Sequence, residues 1–124
     1  MSFKDETKSI VINNEEILIK RVYLSNAVII FITEKPAALG TICLAAPTTD
    51  QEGVRRGESL SILGGKFDFV AKAIAERLTI DTGKIVMVSV ALSEKFLENQ
   101  SMLSKIIGTI REIDIKSGNI KSII

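Results

Sequence analysis

The stretch Ser59–Leu92, SLSILGGKFDFVAKAIAERLTIDTGKIVMVSVAL, decides the fold. It reads as a short strand, a tight Gly64-Gly65 turn, an amphipathic helix, a second turn and a buried strand. Glycine lets extended backbone turn into helix at no Cβ cost. Asp68 falls in the first helical turn, where a carboxylate meets the positive end of the helix dipole. Phe67, Val70, Ala71, Ile74 and Leu78 then recur at spacings of three and four, one apolar stripe along a helix. Lys72, Glu76 and Arg77 lie off that stripe, and Gly83 is its stop signal. From Lys84 the period changes to two. Val86, Val88, Val90 and Leu92 take one face of a strand; Ile85, Met87 and Ala91 take the other, with only Ser89 interrupting. A strand apolar on both sides is expected to be buried on both sides.

The residues before this stretch read as a meander. Met1–Lys8 is polar and expected to fray, and Ser9–Ile12 is a first short strand. Asn13-Asn14-Glu15 is a turn, since Asn tolerates left-handed backbone. Glu16–Leu24 is a second strand. Leu18, Val22 and Leu24 share one face with Lys20; Ile17, Ile19 and Tyr23 share the other with Arg21. Ser25-Asn26 turns the chain again. The run Val28-Ile29-Ile30-Phe31-Ile32 is apolar on both faces and predicts a central strand. Pro36 and Gly40 punctuate a connection, and Thr41–Ala46 is a fourth strand.

Pro47–Glu58, PTTDQEGVRRGE, is the longest polar stretch, with two glycines and three acidic residues. Read as an irregular loop of about 12 residues, it is of a length that often marks a binding element. Asp50, Glu52, Arg55, Arg56 and Glu58 are therefore the candidate partner-binding residues.

After Leu92, the residues Leu103, Ile106, Ile107, Ile110 and Ile113 form a second helical stripe. The helix is expected to begin at Ser101, as cap, or earlier near Leu97. Gly108 within it costs roughly 1 kcal/mol relative to alanine and suggests close approach by another element. Asp114–Ile124 reads as a strand or tail, with a turn signal at Gly118-Asn119; residues from about 117 onward are expected to be flexible.

These elements predict one α+β domain over residues 1–124: a mainly antiparallel sheet of about six strands with two helices on one face. Two helices on one side leave the other side of several two-sided apolar strands without cover. A second copy, or a related chain, is the expected supplier. A dimer through that face, homo- or heteromeric, follows.

Composition removes several chemistries. There is one cysteine and no histidine, so neither an internal disulfide nor a sulfur or imidazole cluster for zinc, copper or haem is expected. Cys43 sits in an apolar segment and reads as a buried thiol. The commonest general base is missing. Sixteen basic and 15 acidic residues give a net charge of +1, no case for nucleic acid or an anionic membrane. No apolar run approaches the ~20 residues of a membrane span. The opening MSFKDETK has no apolar signal-peptide core, so a cytoplasmic protein is expected. No catalytic residue, cofactor or metal ligand is assigned, and the chain is not expected to be an enzyme. Gly64-Gly65-Lys66 invites a phosphate-loop reading, but Leu60 stands at the first glycine position and Phe67 follows the lysine. A small-molecule or anion site at that helix N-terminus remains the minor alternative.

With the two-sided strand Val28–Thr33 in place, further pieces line up. They are Leu39-Gly40-Thr41 leading into Ile42–Ala45, a polar loop, Ser61-Ile62-Leu63-Gly64 before a helix, Ala75-Glu76-Arg77-Leu78 within it, Lys84–Ser89 as the next strand and Ser101–Ile113 as the last helix. In order, spacing and length the chain resembles the small proteasome-assembly chaperones, the third and fourth chaperones of the eukaryotic 20S pathway and their archaeal relatives. The resemblance spans roughly Ile17 to Ile113. It implies a non-enzymatic dimer that binds proteasome α-subunits and promotes α-ring assembly. Some archaeal members end in a hydrophobic-Tyr-any tail that docks on the α-ring. Here Ser122-Ile123-Ile124 has no tyrosine, so that docking mode is not implied. A dimeric adaptor for another complex is the alternative reading.

Overall fold

The structure, a computed structural model, describes residues 4–12, 14–96 and 101–117, the side chains of Leu103 and of residues 113–117 excepted. In chain order the elements are β1 (Lys4–Ile12), β2 (Glu15–Tyr23), β3 (Ala27–Thr33), β4 (Thr41–Thr49), β5 (Arg55–Leu63), α1 (Asp68–Thr82), β6 (Ile85–Ala91), a short 3-10 turn (Glu94–Phe96) and α2 (Met102–Ser117). The strands form one sheet in the order β1-β2-β3-β6-β4-β5. Every neighbouring pair is antiparallel except β3 and β6, which run parallel. The expected α+β architecture, six strands and two helices, is the one observed.

Local chemistry explains most element ends. Asn14 takes φ 63° in the β1–β2 turn, the left-handed backbone its short polar side chain tolerates. Asp68 lies in the first turn of α1, and Gly83 ends it at φ 71° with its N–H donating to the Thr79 carbonyl. Neither Gly64 nor Gly65 takes positive φ. Gly65 is needed for close approach instead, because a Cβ there would meet Thr41 Oγ1 at 2.7 Å.

Both helices pack on the same side of the sheet. Its covered face carries Ile17, Ile19, Arg21 and Tyr23 of β2, Val28, Ile30 and Ile32 of β3, Val86, Val88 and Val90 of β6, and Cys43 and Ala45 of β4, all buried. Onto them α1 sets Ala71, Ile74, Ala75 and Leu78, and α2 sets Met102, Ile106 and Ile110. Cross-links fix α2 in place. Lys8 Nζ donates to Glu112 at 3.2 Å, Arg21 Nη1 to the Ile110 carbonyl at 3.4 Å, and Arg111 pairs with Asp81 of α1 at 3.0 Å.

Four expectations are corrected. β1 begins at Lys4 rather than Ser9, because its charged residues pair along the whole of β2 from Glu15 to Tyr23. The polar stretch is not a long loop. β4 runs to Thr49 and β5 starts at Arg55, leaving only residues 50–54 between them. Pro47 is tolerated because β4 has neighbours on both sides only as far as Ala45, and at Pro47 its register partner is Gly57 of β5. Helix α2 continues through Ser117 where a strand or tail was expected from Asp114. A Cβ at Gly108 would meet nothing within 4 Å among the described residues, so none of the described elements approaches there. The expected helix start near Leu97, the Gly118-Asn119 turn and the terminal Ser122-Ile123-Ile124 lie outside the described residues, as do Leu103 and Ile113 as stripe side chains.

Candidate interaction surface

Among the described residues no helix packs on the opposite face of the sheet, where the connection before β4 reaches Ser89 through a Gly40 N–H bond to its Oγ at 3.1 Å, and strand register places the residues of this face in two complete rows. One row runs Thr7, Lys20, Phe31, Ser89, Ile42, Leu63; the next runs Asp5, Val22, Ile29, Met87, Leu44, Leu60. Eight of these twelve positions are apolar, so a hydrophobic band crosses the sheet where solvent-facing strands ordinarily alternate to polar. Among the described residues the helices cover β3 and β6 on one side only, while on the other side Ser89 of β6 is nonetheless buried beside Gly40. Ile85 at the end of β6 is exposed, and Ile29, Phe31 and Met87 are half-buried.

The band is not flat. At the β1–β2–β3 wing, the connection after β3 folds back so that Leu39 stands over Thr7, Leu18, Lys20 and Phe31. Together they bound a groove of about 440 Å³. At the other wing, β5 presents Leu60, Ile62 and Leu63 outward, with Leu60 66% exposed. A register irregularity opposite Ile42 and Cys43 adds one residue to β5 there, the local twist of a bulge.

The reason β5 faces this way lies in its small residues. Gly57, Ser59 and Ser61 alternate with Glu58, Leu60 and Ile62. A Cβ on Gly57 would strike Thr79 Cγ2 at 2.6 Å and the Glu76 carbonyl at 2.8 Å, so α1 lies close against this strand. Ser59 Oγ donates to Glu76 Oε1 at 2.5 Å. Small side chains go under the helix, and the large apolar ones are left outside. The alternation Gly-Glu-Ser-Leu-Ser-Ile carried that signal; sequence reasoning took only Ser59–Leu63 as a short strand and missed the orientation.

The five candidate residues come together at and beside the β4–β5 hairpin but do different jobs. Asp50 accepts from the Glu52 and Val54 N–H groups at 2.9 Å each and pairs with Arg56 Nε at 3.0 Å, closing the tip. The Val54 N–H, with help from Arg56 and Glu52, holds the Asp50 carboxyl below its ordinary range. Arg55 turns away from the tip and donates to the Ile80 carbonyl of α1 at 2.9 Å. Glu52 is exposed at the tip, and Glu58 is exposed opposite Ala46 on the uncovered side.

Elsewhere several ionisable groups are engaged. Lys66, after the Gly64-Gly65 turn, pairs with Glu94. Cys43 Sγ is 3.8 Å from Asp68 Oδ1 beneath α1, and burial pushes its thiol pKa up. Glu34 accepts from the Ser93 N–H at 2.6 Å and Oγ at 2.8 Å. A second cleft of about 440 Å³ lies between Glu34, Leu39, Lys66 and Ser93. Phe69, in the first turn of α1, is 77% exposed. Among the described residues, no three His, Cys, Asp or Glu side chains gather as metal ligands, and no helix is long and apolar enough to cross a membrane.

No protein-family model matches the chain, and no curated protein matches it by sequence. Among solved structures, the fold is similar to that of a chain in the crystal structure of a novel chaperone complex for yeast 20S proteasome assembly. The two share 15% identity with a TM-score of 0.59, over 91% of this chain and 98% of that one. At that identity the likeness is one of fold.

Proposed function

We propose that this chain is a non-enzymatic assembly helper which works as a dimer, binds proteasome α-subunits and promotes 20S α-ring assembly. The observation that carries this reading is the uncovered apolar band, in a fold that corresponds almost end to end with a yeast chain from a proteasome-assembly chaperone complex. A band of this kind is costly to leave in water, at about 25 cal/mol per Å² of apolar area. A protein made to be covered there has an assembled working form.

The chemistry of such a helper is recognition rather than turnover. Unassembled ring subunits expose the surfaces meant for their neighbours. A partner that covers one such surface biases the order of addition and blocks wrong contacts. The band serves the dimer; the α-subunit is assigned to the β4–β5 hairpin with Asp50, Glu52, Arg55, Arg56 and Glu58. Arg56 is the residue to reverse, since Arg55 also holds α1. Arg56→Glu is expected to weaken α-subunit binding at least tenfold while leaving the melting temperature within a few degrees.

Native mass spectrometry of the purified chain, alone and with separately expressed α-subunit, tests the reading. A dimer that shifts to a defined complex supports it. A dimer that ignores every α-subunit gives the function to the adaptor reading, in which the same band and hairpin serve another complex.

A further inference from the structure

We infer that the cleft at the carboxyl ends of β3 and β6 binds a monocarboxylate carried on a short apolar body, a free acid or the carboxyl end of a peptide. The two strands run parallel and end together, Thr33 beside Ala91. From there the chain leaves in opposite directions. Residues 34–40 pass the end of β6 to reach β4 on its far side, whereas α2, the helix that follows β6, lies over β1 and β2. The two connections meet where Glu34 Oε1 accepts from the Ser93 N–H and Oγ. Adjacent parallel strands whose connections part in this way leave a crevice beyond their carboxyl ends, and ligands of open sheets bind there. Here the crevice is the cleft of about 440 Å³.

Three groups come together at one end of it. Thr41 lines the cleft and is 7% exposed, and its hydroxyl has no hydrogen-bond partner among the described residues. A hydroxyl so deeply buried is ordinarily paired. Its Oγ1 lies beside the turn that starts α1, 2.7 Å from where a Gly65 Cβ would stand. That turn brings the second group, the N-terminus of α1. Phe67 holds the N-cap position and makes no side-chain cap, and the Phe69 and Val70 N–H groups have no partner among the described residues. Uncapped helix N–H groups favour an anion. The third group is Lys66, whose ammonium meets Glu94 in an exposed pair. Such pairs are worth little, so a ligand takes the ammonium at small cost.

Charge and shape select the ligand. Glu34 lines the same cleft, Glu94 stands on Lys66, and Asp68 lies in the first turn of α1. A phosphate dianion would set two charges against these carboxylates with a single ammonium to offset them; a carboxylate sets one. The Thr41 hydroxyl donates to one of its oxygens, and Lys66 with the α1 N–H groups takes the other. The remaining walls are largely apolar. Phe67, Val90 and Leu92 pack on the core, and Leu39, 63% exposed, is the wall with most apolar surface left in water. A short aliphatic body laid between Leu39 and Leu92 covers it.

The test is an amide NMR titration of the whole chain with isocaproate; no proteasome subunit takes part, so the result is independent of α-subunit binding. Saturable shifts are expected at the Gly40, Gly65 and Lys66 amides, half-complete at about 1–10 mM, as suits so small a ligand. Isocaproamide, the same body without the charge, and inorganic phosphate should each bind about tenfold more weakly or worse. Thr41→Val keeps the shape and removes the hydroxyl, and should weaken isocaproate by about tenfold. Thr41→Ser should stay within about threefold of wild type. N-acetyl-leucine adds a peptide unit to the same body and carboxylate: tighter binding than isocaproate assigns the site to a chain end, weaker binding to a free acid. Equal binding of the amide, or tighter binding of phosphate, would overturn the ligand class. No saturable shift at these three amides, or unchanged affinity in Thr41→Val, would overturn the site. Should Thr41→Val not fold, Lys66→Gln, at an exposed position, replaces it with the same loss expected.

Discussion

Arg55 Nη1 donates to the Ile80 carbonyl at 2.9 Å, tying the first residue of β5 to the last turn of α1. That last turn has no basic residue of its own. Arg55 therefore supplies from another element the cation that the negative end of a helix dipole favours. Gly83 leaves room for it, since a Cβ there would lie 3.1 Å from the same nitrogen. Arg55→Ala is expected to cost about 0.5–1 kcal/mol. Arg55→Glu should cost about twice that, because it sets a carboxylate against exposed carbonyls. Urea midpoints of the two variants and of Arg56→Glu check the assignment. An Arg56→Glu midpoint lower than that of Arg55→Glu would contradict it.

Two glycines should respond to alanine with opposite signs. A Cβ on Gly40 would sit 2.1 Å from the Val90 carbonyl oxygen and 2.7 Å from Ala91 Cα, both backbone. Gly40→Ala must push β4 and β6 apart and should cost about 1–3 kcal/mol or more. Gly108 lies in α2 with nothing among the described residues within 4 Å of an added Cβ, so Gly108→Ala should gain about 1 kcal/mol from helix propensity. Thermal unfolding of both variants decides it; a destabilised Gly108→Ala would mean another chain packs on that side of α2.

Acid should open the hairpin tip. The Asp50 pKa is lowered in the folded chain, first by the Val54 N–H and then by Arg56 and Glu52. Its contribution is therefore present above the unfolded value of about 4 and is lost as pH falls through the lower folded value. The Val54 and Glu52 amide shifts should move together over that acid range in NMR titrations. Asp50→Asn should remove the transition, and flat wild-type shifts from about pH 5 down to about pH 2 would refute it.

Arg21 should tolerate loss of charge better than loss of bulk. It is fully buried under α2, with burial lowering its pKa to about 10. Its bond to Ile110 holds α2 on β2, and its ring contact with Tyr23 of the same strand is 5.1 Å. Arg21→Ala is expected to cost about 2–4 kcal/mol through the void it leaves. Arg21→Met, of similar length, should stay within about 1 kcal/mol of wild type, because a buried charge is often replaceable by a packed apolar chain. Equal losses in the two variants, measured by denaturant unfolding, would show that the hydrogen bonds rather than the packing hold the helix.

The sequence by itself determined the elements whose periodicity is unbroken. The stripe Phe67–Leu78, its Gly83 stop, the two-sided β3 and β6 and the six-strand α+β architecture were legible because side-chain period and turn chemistry are local properties. What the tertiary structure alone decided is which polar residues go where. Lys20 and Arg21 are adjacent and chemically alike, yet one is exposed and the other fully buried, because α2 covers one face of β2 and not the other. PTTDQEGVRRGE looked like a loop because polar residues carry no strand period. It became two paired strands because β4 and β5 could continue their ladder to Thr49 and Arg55. The inverted face of β5 was settled by how near α1 sits to Gly57, a distance set by residues about twenty positions away in the chain. Contacts between distant segments carry no local signature, and they placed the serines under the helix and the leucines on the opposite, exposed side of the strand.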